Sequence, residues 1–377
     1  MTERVIYLAA GGTGGHLFPA LALARALQKR GHKVAILSDS RAANYAAQLD
    51  DLEIHQMVSA TVFGGSLIKR LLAPFKLFAG LAQALWFFLR HRPAIVLGFG
   101  GYPSFCPLIA GRILLCHIAV HEQNAVLGRA NKILTRIGAR IAASYAGTQK
   151  VPFGQRGTMI VTGNPVREKV MKLSEKTYPA PAPEDRFNLL VFGGSQGASV
   201  FSKIMPAAIK LLPQEKIDRL RLVQQCRKPE IAETLKAYGS LGIDVELRDF
   251  FDDLPERMVK ADLVIGRAGA STVSELSILG RPSILVPLPG SLDQDQKANA
   301  LQMSNHGAAW LVEQTVFKPE RIASMLSELM DDPQALTNAS KAARSRAIPD
   351  ATDNLVQFVE QHSGYQPTSR AVNQGGK

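Results

Sequence analysis

The feature that most constrains this chain is a device it uses twice. Residues 4–10 (RVIYLAA) form a short apolar run, followed at once by a glycine cluster, GGTGG (11–15), and then by LFPALALARALQKR (17–30), whose apolar residues recur at helical spacing up to Gly31. KVAILS (33–38) is the next apolar run. Strand, glycine loop, helix and strand in so short a span make a βαβ unit, and strands joined through a helix pair in parallel. FNLLVFGGSQGA (187–198) repeats the opening of that unit, with LRLVQQC (220–226) as its next strand. Two such openings in 377 residues predict an α/β chain with two similar parallel-sheet domains. Further apolar runs end in glycine or polar loops: AIVLGFGGYPSF (94–105), IAVHEQNAVLG (118–128), MIVTGNPVR (159–167), ADLVIGRAGAST (261–272) and PSILVPLPGSLDQDQ (282–296). Open α/β sheets bind ligands at the carboxyl ends of their strands, where this chain concentrates its unusual residues. The proline- and charge-rich SEKTYPAPAPEDR (174–186) reads as a loop or linker, with the hinge somewhat earlier, near 163–167.

Composition narrows the partners. Lys and Arg number 44 against 32 Asp and Glu, so the net charge is +12. Such an excess points to an anionic partner: a phosphorylated ligand, an anionic membrane or a nucleic acid. The basic residues are scattered rather than gathered on a recognition helix, which argues against nucleic acid. Three cysteines with no CxxC pair suit a reduced, cytosolic protein with buried thiols. The start, MTERVIYLAAGG, lacks the layout of a secretory signal. The nearest approach to a spanning segment, residues 71–89, is broken by Pro74, Lys76 and Gln83.

Each motif admits more than one reading. A glycine loop ahead of a helix brings backbone N–H groups and a favourable dipole to a phosphate, and two such loops would serve a diphosphate. A nicotinamide fingerprint is incomplete, because Leu17 stands at the third glycine position, although Asp39 is placed to hold a ribose. Neither loop carries a Walker lysine. In GRAGASTVSE (266–275), Thr272 and Glu275 have capping-box spacing, while a carboxylate there also suits a ribose diol. Gln294, Gln296 and Asn299 carry amides suited to polyols. His121, Glu122, Gln123 and Asn124 end a strand in a row, with no HExxH pattern to support a metal. His16 stands at a helix start among backbone donors, a setting that favours neutral imidazole, which can act as a general base. In 67–90, Lys69, Lys76, Gln83 and Arg90 recur every seven residues as one polar stripe; Pro74 is expected to start or break a helix, and most of the remaining Leu, Phe and Trp surface is expected to be core. Its basic rim also fits an interfacial membrane patch.

In combination and order, GGTGGHLFPA, GFGGYPSF, HEQNAVLGRAN, TGNPVR, GGSQGA, GRAGASTVSE and DQDQKANA resemble the family 28 glycosyltransferases of bacterial cell-wall synthesis, which have the GT-B fold. The resemblance runs to about residue 360. It implies two Rossmann-like domains facing across a deep cleft: residues 1–163 for the acceptor and membrane, 164–344 for UDP-N-acetylglucosamine (UDP-GlcNAc). A helix at about 345–362 packs back on the first domain, and 363–377 is a disordered tail. The activity implied is inverting transfer of N-acetylglucosamine from UDP-GlcNAc to the C4 hydroxyl of MurNAc in undecaprenyl-pyrophosphoryl-MurNAc-pentapeptide (lipid I), without cofactor or metal. The implied donor site comprises Thr13, Gly14, Gly15, Asn124, Arg167, Ser195 (phosphate), Phe251 (near uracil), Ala270, Ser271, Thr272, Val273, Ser274, Glu275 (ribose) and Gln296. Some relatives have paired glutamines where this chain has Asp295–Gln296, so Gln296 is the safer carry-over and Gln294 the weaker one. His16 is the candidate base and Glu122 its rival. Leu67, Ile68, Lys69, Arg70, Leu71, Leu72, Phe75, Lys76 and Trp86 are expected to meet an anionic inner membrane from the cytoplasmic side. Other wall-synthesis enzymes are expected partners from the pathway alone.

Overall fold

The computed structural model describes residues 4–11, 14–40, 52–59, 67–194 and 197–364. The polar tail from 365 onward, like Thr13 and Ser195, lies outside the described residues. The first sheet comprises β1 (Val5–Ala9), β2 (Val34–Ser38), β3 (Glu53–Gln56), β4 (Pro93–Gly98), β5 (His117–Glu122), β6 (Arg140–Ala143) and β7 (Ile160–Val161). Its order is β3-β2-β1-β4-β5-β6-β7, every pair parallel. Around it lie α1 (Gly14–Lys29), α2 (Leu67–Arg90), α3 (Tyr102–Ile113) and α4 (Arg129–Arg136). The chain then crosses over to α5 (Glu168–Leu173), β8 (Phe187–Phe192), α6 (Ser199–Lys210), α7 (Gln214–Arg219), β9 (Leu220–Gln225), α8 (Ile231–Gly239), β10 (Asp244–Arg248), α9 (Leu254–Lys260) and β11 (Leu263–Gly266). It continues through α10 (Ala270–Leu279), β12 (Ser283–Leu285), α11 (Asp295–Ser304), β13 (Ala309–Leu311), α12 (Pro319–Asp331), α13 (Pro333–Ser345) and α14 (Ala351–Ser363). The second sheet, β10-β9-β8-β11-β12-β13, is again wholly parallel.

The central strands β1, β2, β4, β8 and β11 are almost entirely buried, as apolar runs covered by helices on both faces must be. Each sheet reverses its winding between its first strand and the third strand after it in the chain: β1 and β4 in one, β8 and β11 in the other. These switch points open crevices at the strand carboxyl ends. Gly14 and Gly15 of the first glycine loop and Gly193, Gly194 and Gly197 of the second fall there.

The last helix does not stay with the second sheet. Leu355, Val356, Phe358 and Val359 of α14 are buried in the core beneath α1, with Leu17, Leu21 and Ala24. Burying these four side chains contributes on the order of 6–12 kcal/mol, an upper bound set by an extended unfolded chain. Arg30 and His32 fasten the same helix by bonding Glu360 at 3.2 and 3.0 Å.

Two expectations for 67–90 change. The helix α2 runs unbroken through Pro74, at the loss of one backbone hydrogen bond. Its surface divides into two faces rather than being mostly core. Gly80, Ala84, Phe87 and Phe88 are buried, whereas Phe75, Phe78, Trp86 and Leu89 are 74, 76, 56 and 70% exposed. The seven-residue polar stripe is not uniformly solvated either. Gln83 is hooked to the edge of the sheet, accepting from Val58 N (2.8 Å) and donating to the Gln56 carbonyl (3.0 Å). Arg90 lies over the Trp86 ring at 3.9 Å, and Lys76 is exposed. The side chains of residues 67–73 lie outside the description.

Candidate active site

A cleft of about 690 Å³ opens between the two switch points. One wall is Gly14, Gly15 and Phe18 at the start of α1. The other is built by the second sheet's loops: Gly193, Gly194 and Gly197, then Phe251, Gly269, Ala270, Ser271, Thr272, Glu275 and Gln296. Arg167, at the crossing between the lobes, lines it as well. Tight backbone packing explains one of the glycines. A Cβ on Gly193 would stand 2.3 Å from the Ala198 nitrogen, so no side chain fits there.

Glu275 is buried and accepts two parallel hydrogen bonds from Arg167, Nε and Nη2 each at 2.7 Å. Arg167 also lies 5.3 Å from the Phe18 ring, so it links the donor wall to α1. The capping-box alternative is not formed: α10 begins at Ala270 behind Gly269, and no side chain caps it. Phe251 is buried, with the Arg257 guanidinium 4.5 Å from its ring. Gln296 accepts from Leu288 N at 3.0 Å, which fixes its amide at the cleft edge. Gln294 does not line the cleft; it follows Asp293 in left-handed backbone, φ 56° after 64°. Val273 is turned into the core, and Ser274 bonds Asn164 and the Ala270 carbonyl.

The β5–α4 loop is the second centre of polar residues. Glu122 is buried and saturated: Oε1 accepts from Asn124 N and Nδ2 (3.0 and 3.1 Å), Oε2 from Gly128 N and Asn131 Nδ2 (both 2.8 Å). Burial raises its carboxyl above the usual range, and these four donors oppose that shift. His121 is fully buried, and burial pushes its imidazole down to about 4. Asn124 does not line the donor cleft. Its Oδ1 accepts from Asn299 Nδ2 (3.0 Å), while Ala125 N donates to Asn299 Oδ1 (2.8 Å), so this loop is docked on α11. Asp293 adds ion pairs to Arg129 (3.1 Å) and Lys150 (2.7 Å) across the same seam. His16 sits in the first turn of α1, half-buried, next to the lining glycines, with Nδ1 3.1 Å from Gln123 Oε1. Among the described residues, no three His, Cys, Asp or Glu side chains gather as a metal site.

Among the lining residues that sequence reasoning passed over are Arg267 and Gln314. Arg267 is buried and bonds the Val286 and Pro287 carbonyls (both 3.1 Å) and Gln314 Oε1 (2.6 Å). The signal was an arginine at a strand end within GRAGAST. Gln314 carried none, because its place depends on Arg267.

Residues 6–143 match the glycosyltransferase family 28 N-terminal domain and residues 188–355 the family's C-terminal domain. The UDP-N-acetylglucosamine–N-acetylmuramyl-(pentapeptide) pyrophosphoryl-undecaprenol N-acetylglucosamine transferase of Rhodospirillum centenum is 45% identical, over 95% of this chain and 94% of its own. The transferase of the same name from Methylobacterium radiotolerans is 47% identical, over 94% and 96%. Among solved structures, Acinetobacter baumannii MurG superposes with a TM-score of 0.76 at 29% identity, over 95% of this chain and 99% of that one. A UDP-N-acetylglucosamine 2-epimerase shares the fold alone, with a TM-score of 0.68 at 15% identity. The chain belongs to glycosyltransferase family 28.

Proposed function

We propose that this chain transfers N-acetylglucosamine from UDP-GlcNAc to the C4 hydroxyl of MurNAc in lipid I, giving lipid II for peptidoglycan synthesis, with inversion at the sugar. Residues 1–163 with α14 take the acceptor and residues 164–344 the donor. The observation that carries this reading is the cleft, which sets two helix N-termini and two glycine loops against each other across a space the size of a nucleotide sugar. On the donor side, loop amides at 193–197 and 269–272 hold phosphate, Glu275 takes the ribose hydroxyls, the Phe251 region takes the base, and Gln296 meets the sugar. Arg167 keeps the Glu275 carboxylate oriented. From the acceptor side, the amides of Gly14 and Gly15 face the diphosphates.

His16 is the base in this reading. Its Nε2 makes no hydrogen bond to any described residue, whereas every lone-pair direction of Glu122 is taken by N–H donors. Nε2 accepts the C4 hydroxyl proton as that oxygen attacks C1 of the donor sugar from the face opposite UDP. The C1–O bond to the diphosphate breaks, and UDP leaves with the charge, which the amides and helix dipoles stabilise. Glu122 holds the β5–α4 loop.

Two features support a peripheral place on the cytoplasmic face of the inner membrane: the exposed aromatic face of α2 and the +12 charge. No helix among the described residues is long and apolar enough to cross a membrane. The test is transfer of labelled N-acetylglucosamine from UDP to a lipid I analogue, with EDTA in a parallel reaction. Product in both is expected. UDP binding without product would overturn the acceptor assignment, and loss only with EDTA would overturn the metal-free chemistry.

A further inference from the structure

The β5–α4 loop holds a chain of hydrogen bonds that ends on His16. Gly163 O lies 2.9 Å from His121 Nε2; Gln123 Nε2 lies 3.0 Å from His121 Nδ1; Gln123 Oε1 lies 3.1 Å from His16 Nδ1. Resting on the reading that His16 is the base, we propose that Gln123 and His121 are positioning residues that lock His16 in its Nδ1–H tautomer and leave Nε2 bare to receive the acceptor's proton.

The direction of each bond follows from the far end inward. A backbone carbonyl only accepts, so His121 Nε2 carries hydrogen. The buried ring is neutral in the working range, its ionisation pushed down to about 4, so His121 Nδ1 is a lone pair. Gln123 must therefore present its NH2 group to that nitrogen. A second contact demands the same orientation: Gln123 Nε2 donates to the His121 carbonyl at 3.0 Å. The amide oxygen is left facing His16, and an oxygen there requires a donor. His16 Nδ1 carries the hydrogen. Two glycines leave room for the ring. Gly100 and Gly101 have φ of 86° and 76°, and a Cβ on either would come within 3.3–3.5 Å of the imidazole. A glutamine suits this task because its amide has a donor end and an acceptor end, and two acceptors on the His121 side fix which end points where. The arrangement does the work of the carboxylate that orients the histidine of a hydrolase triad, without placing a charge beside the base.

The experiment begins with the unmodified enzyme. Long-range ¹⁵N–¹H correlation on ¹⁵N-histidine-labelled protein distinguishes protonated from bare ring nitrogens. At a pH where the ring is neutral, His16 is expected with hydrogen on Nδ1, and a ring protonated on Nε2 overturns the proposal even if no variant folds. Gln123→Leu is then expected to lower kcat at least about 10-fold and to leave the KM for UDP-GlcNAc unchanged; the upper limit is the roughly 10⁴-fold cost of a misoriented triad histidine. Gln123→Leu combined with His16→Ala is expected to be no slower than His16→Ala alone. Gln123→Glu, which keeps an acceptor for Nδ1–H, is expected to recover part of the rate. If His16→Ala loses kcat and Gln123→Leu does not, the relay is wrong. If His16→Ala keeps kcat, the assignment of the base is wrong instead.

Discussion

Replacing Phe75 and Phe78 with serine tests the exposed face of α2. The two rings are 74 and 76% exposed and lie on the same side of the helix as Trp86 and Leu89. An aromatic side chain has about 150–250 Å² to bury, so three quarters of one is about 110–190 Å²; at about 25 cal/mol per Å², full insertion is worth about 3–5 kcal/mol per ring. A helix lying in the interface inserts partway. Half that value for each ring gives about 3 kcal/mol or more for the pair, roughly 100-fold in partitioning. The substitution lies on the solvent face, so folding should change by less than about 1 kcal/mol. The assay is cosedimentation with vesicles containing anionic lipid, beside transfer to a short-chain, water-soluble acceptor. The expected result is a drop in vesicle binding of about 100-fold with the soluble reaction unaltered. Vesicle binding within about threefold of the parent would refute the reasoning, because these two rings are the most exposed aromatic side chains described on that helix.

Arg167→Gln removes both charge-assisted bonds to the Glu275 carboxylate and leaves it misaligned for a ribose; UDP-GlcNAc affinity should fall about 10- to 100-fold by calorimetry, and unchanged affinity would free Glu275 from its role. Gly163→Ala forces a left-handed alanine (φ 81°) whose Cβ lies 2.8 Å from Ala351 Cβ and Ile348 Cγ2; a cost of about 2–5 kcal/mol should lower Tm by roughly 3–6 °C, and a Tm within about a degree of the parent would disprove the clash. His121 predicts an acid-sensitive fold. Its folded value, about 4, lies below the ordinary 6.5, so the unfolded chain binds the extra proton and stability is lost as pH falls from about 6.5 to 4. The full shift corresponds to about 3 kcal/mol, and His121→Gln should flatten Tm against pH in that window; the raised carboxyl of Glu122 works in the opposite sense. An equally steep profile in His121→Gln would assign the acid sensitivity elsewhere.

What the sequence could reveal was whatever chemistry is local. Buried parallel strands and their glycine punctuation depend on neighbours in the chain, so the α/β class and the two switch-point loops were readable from residues 4–31 and 187–198. The behaviour of α2 was harder. Pro74 signals a break, yet packing of Ala84, Phe87 and Phe88 overrides it, and no periodicity tells which apolar face a helix leaves uncovered. Thr272 and Glu275 have capping-box spacing, but an arginine more than a hundred residues away takes the carboxylate. Gln123 stood in view among four polar residues. Its place became legible only when Gly163, His121 and His16 were brought together, because a hydrogen-bond direction belongs to partners and not to a motif. Asp293 bridges to Arg129 and Lys150 through left-handed backbone at two non-glycine residues, which a sequence does not announce.

The return of α14 to the first sheet has a consequence for synthesis on the ribosome. The first sheet is complete at Val161, yet the pocket beneath α1 stays open until Leu355 to Val359 have been made. About two hundred residues intervene, which at roughly 5–20 residues per second is some 10–40 s of translation. Throughout that interval a nascent chain carries an apolar groove between Leu17, Leu21 and Ala24 with its own filling still in the ribosome. The second lobe, whose hydrophobic core reaches no further than Ala347, is free to close first, so the half of the enzyme made earlier is the half that finishes later.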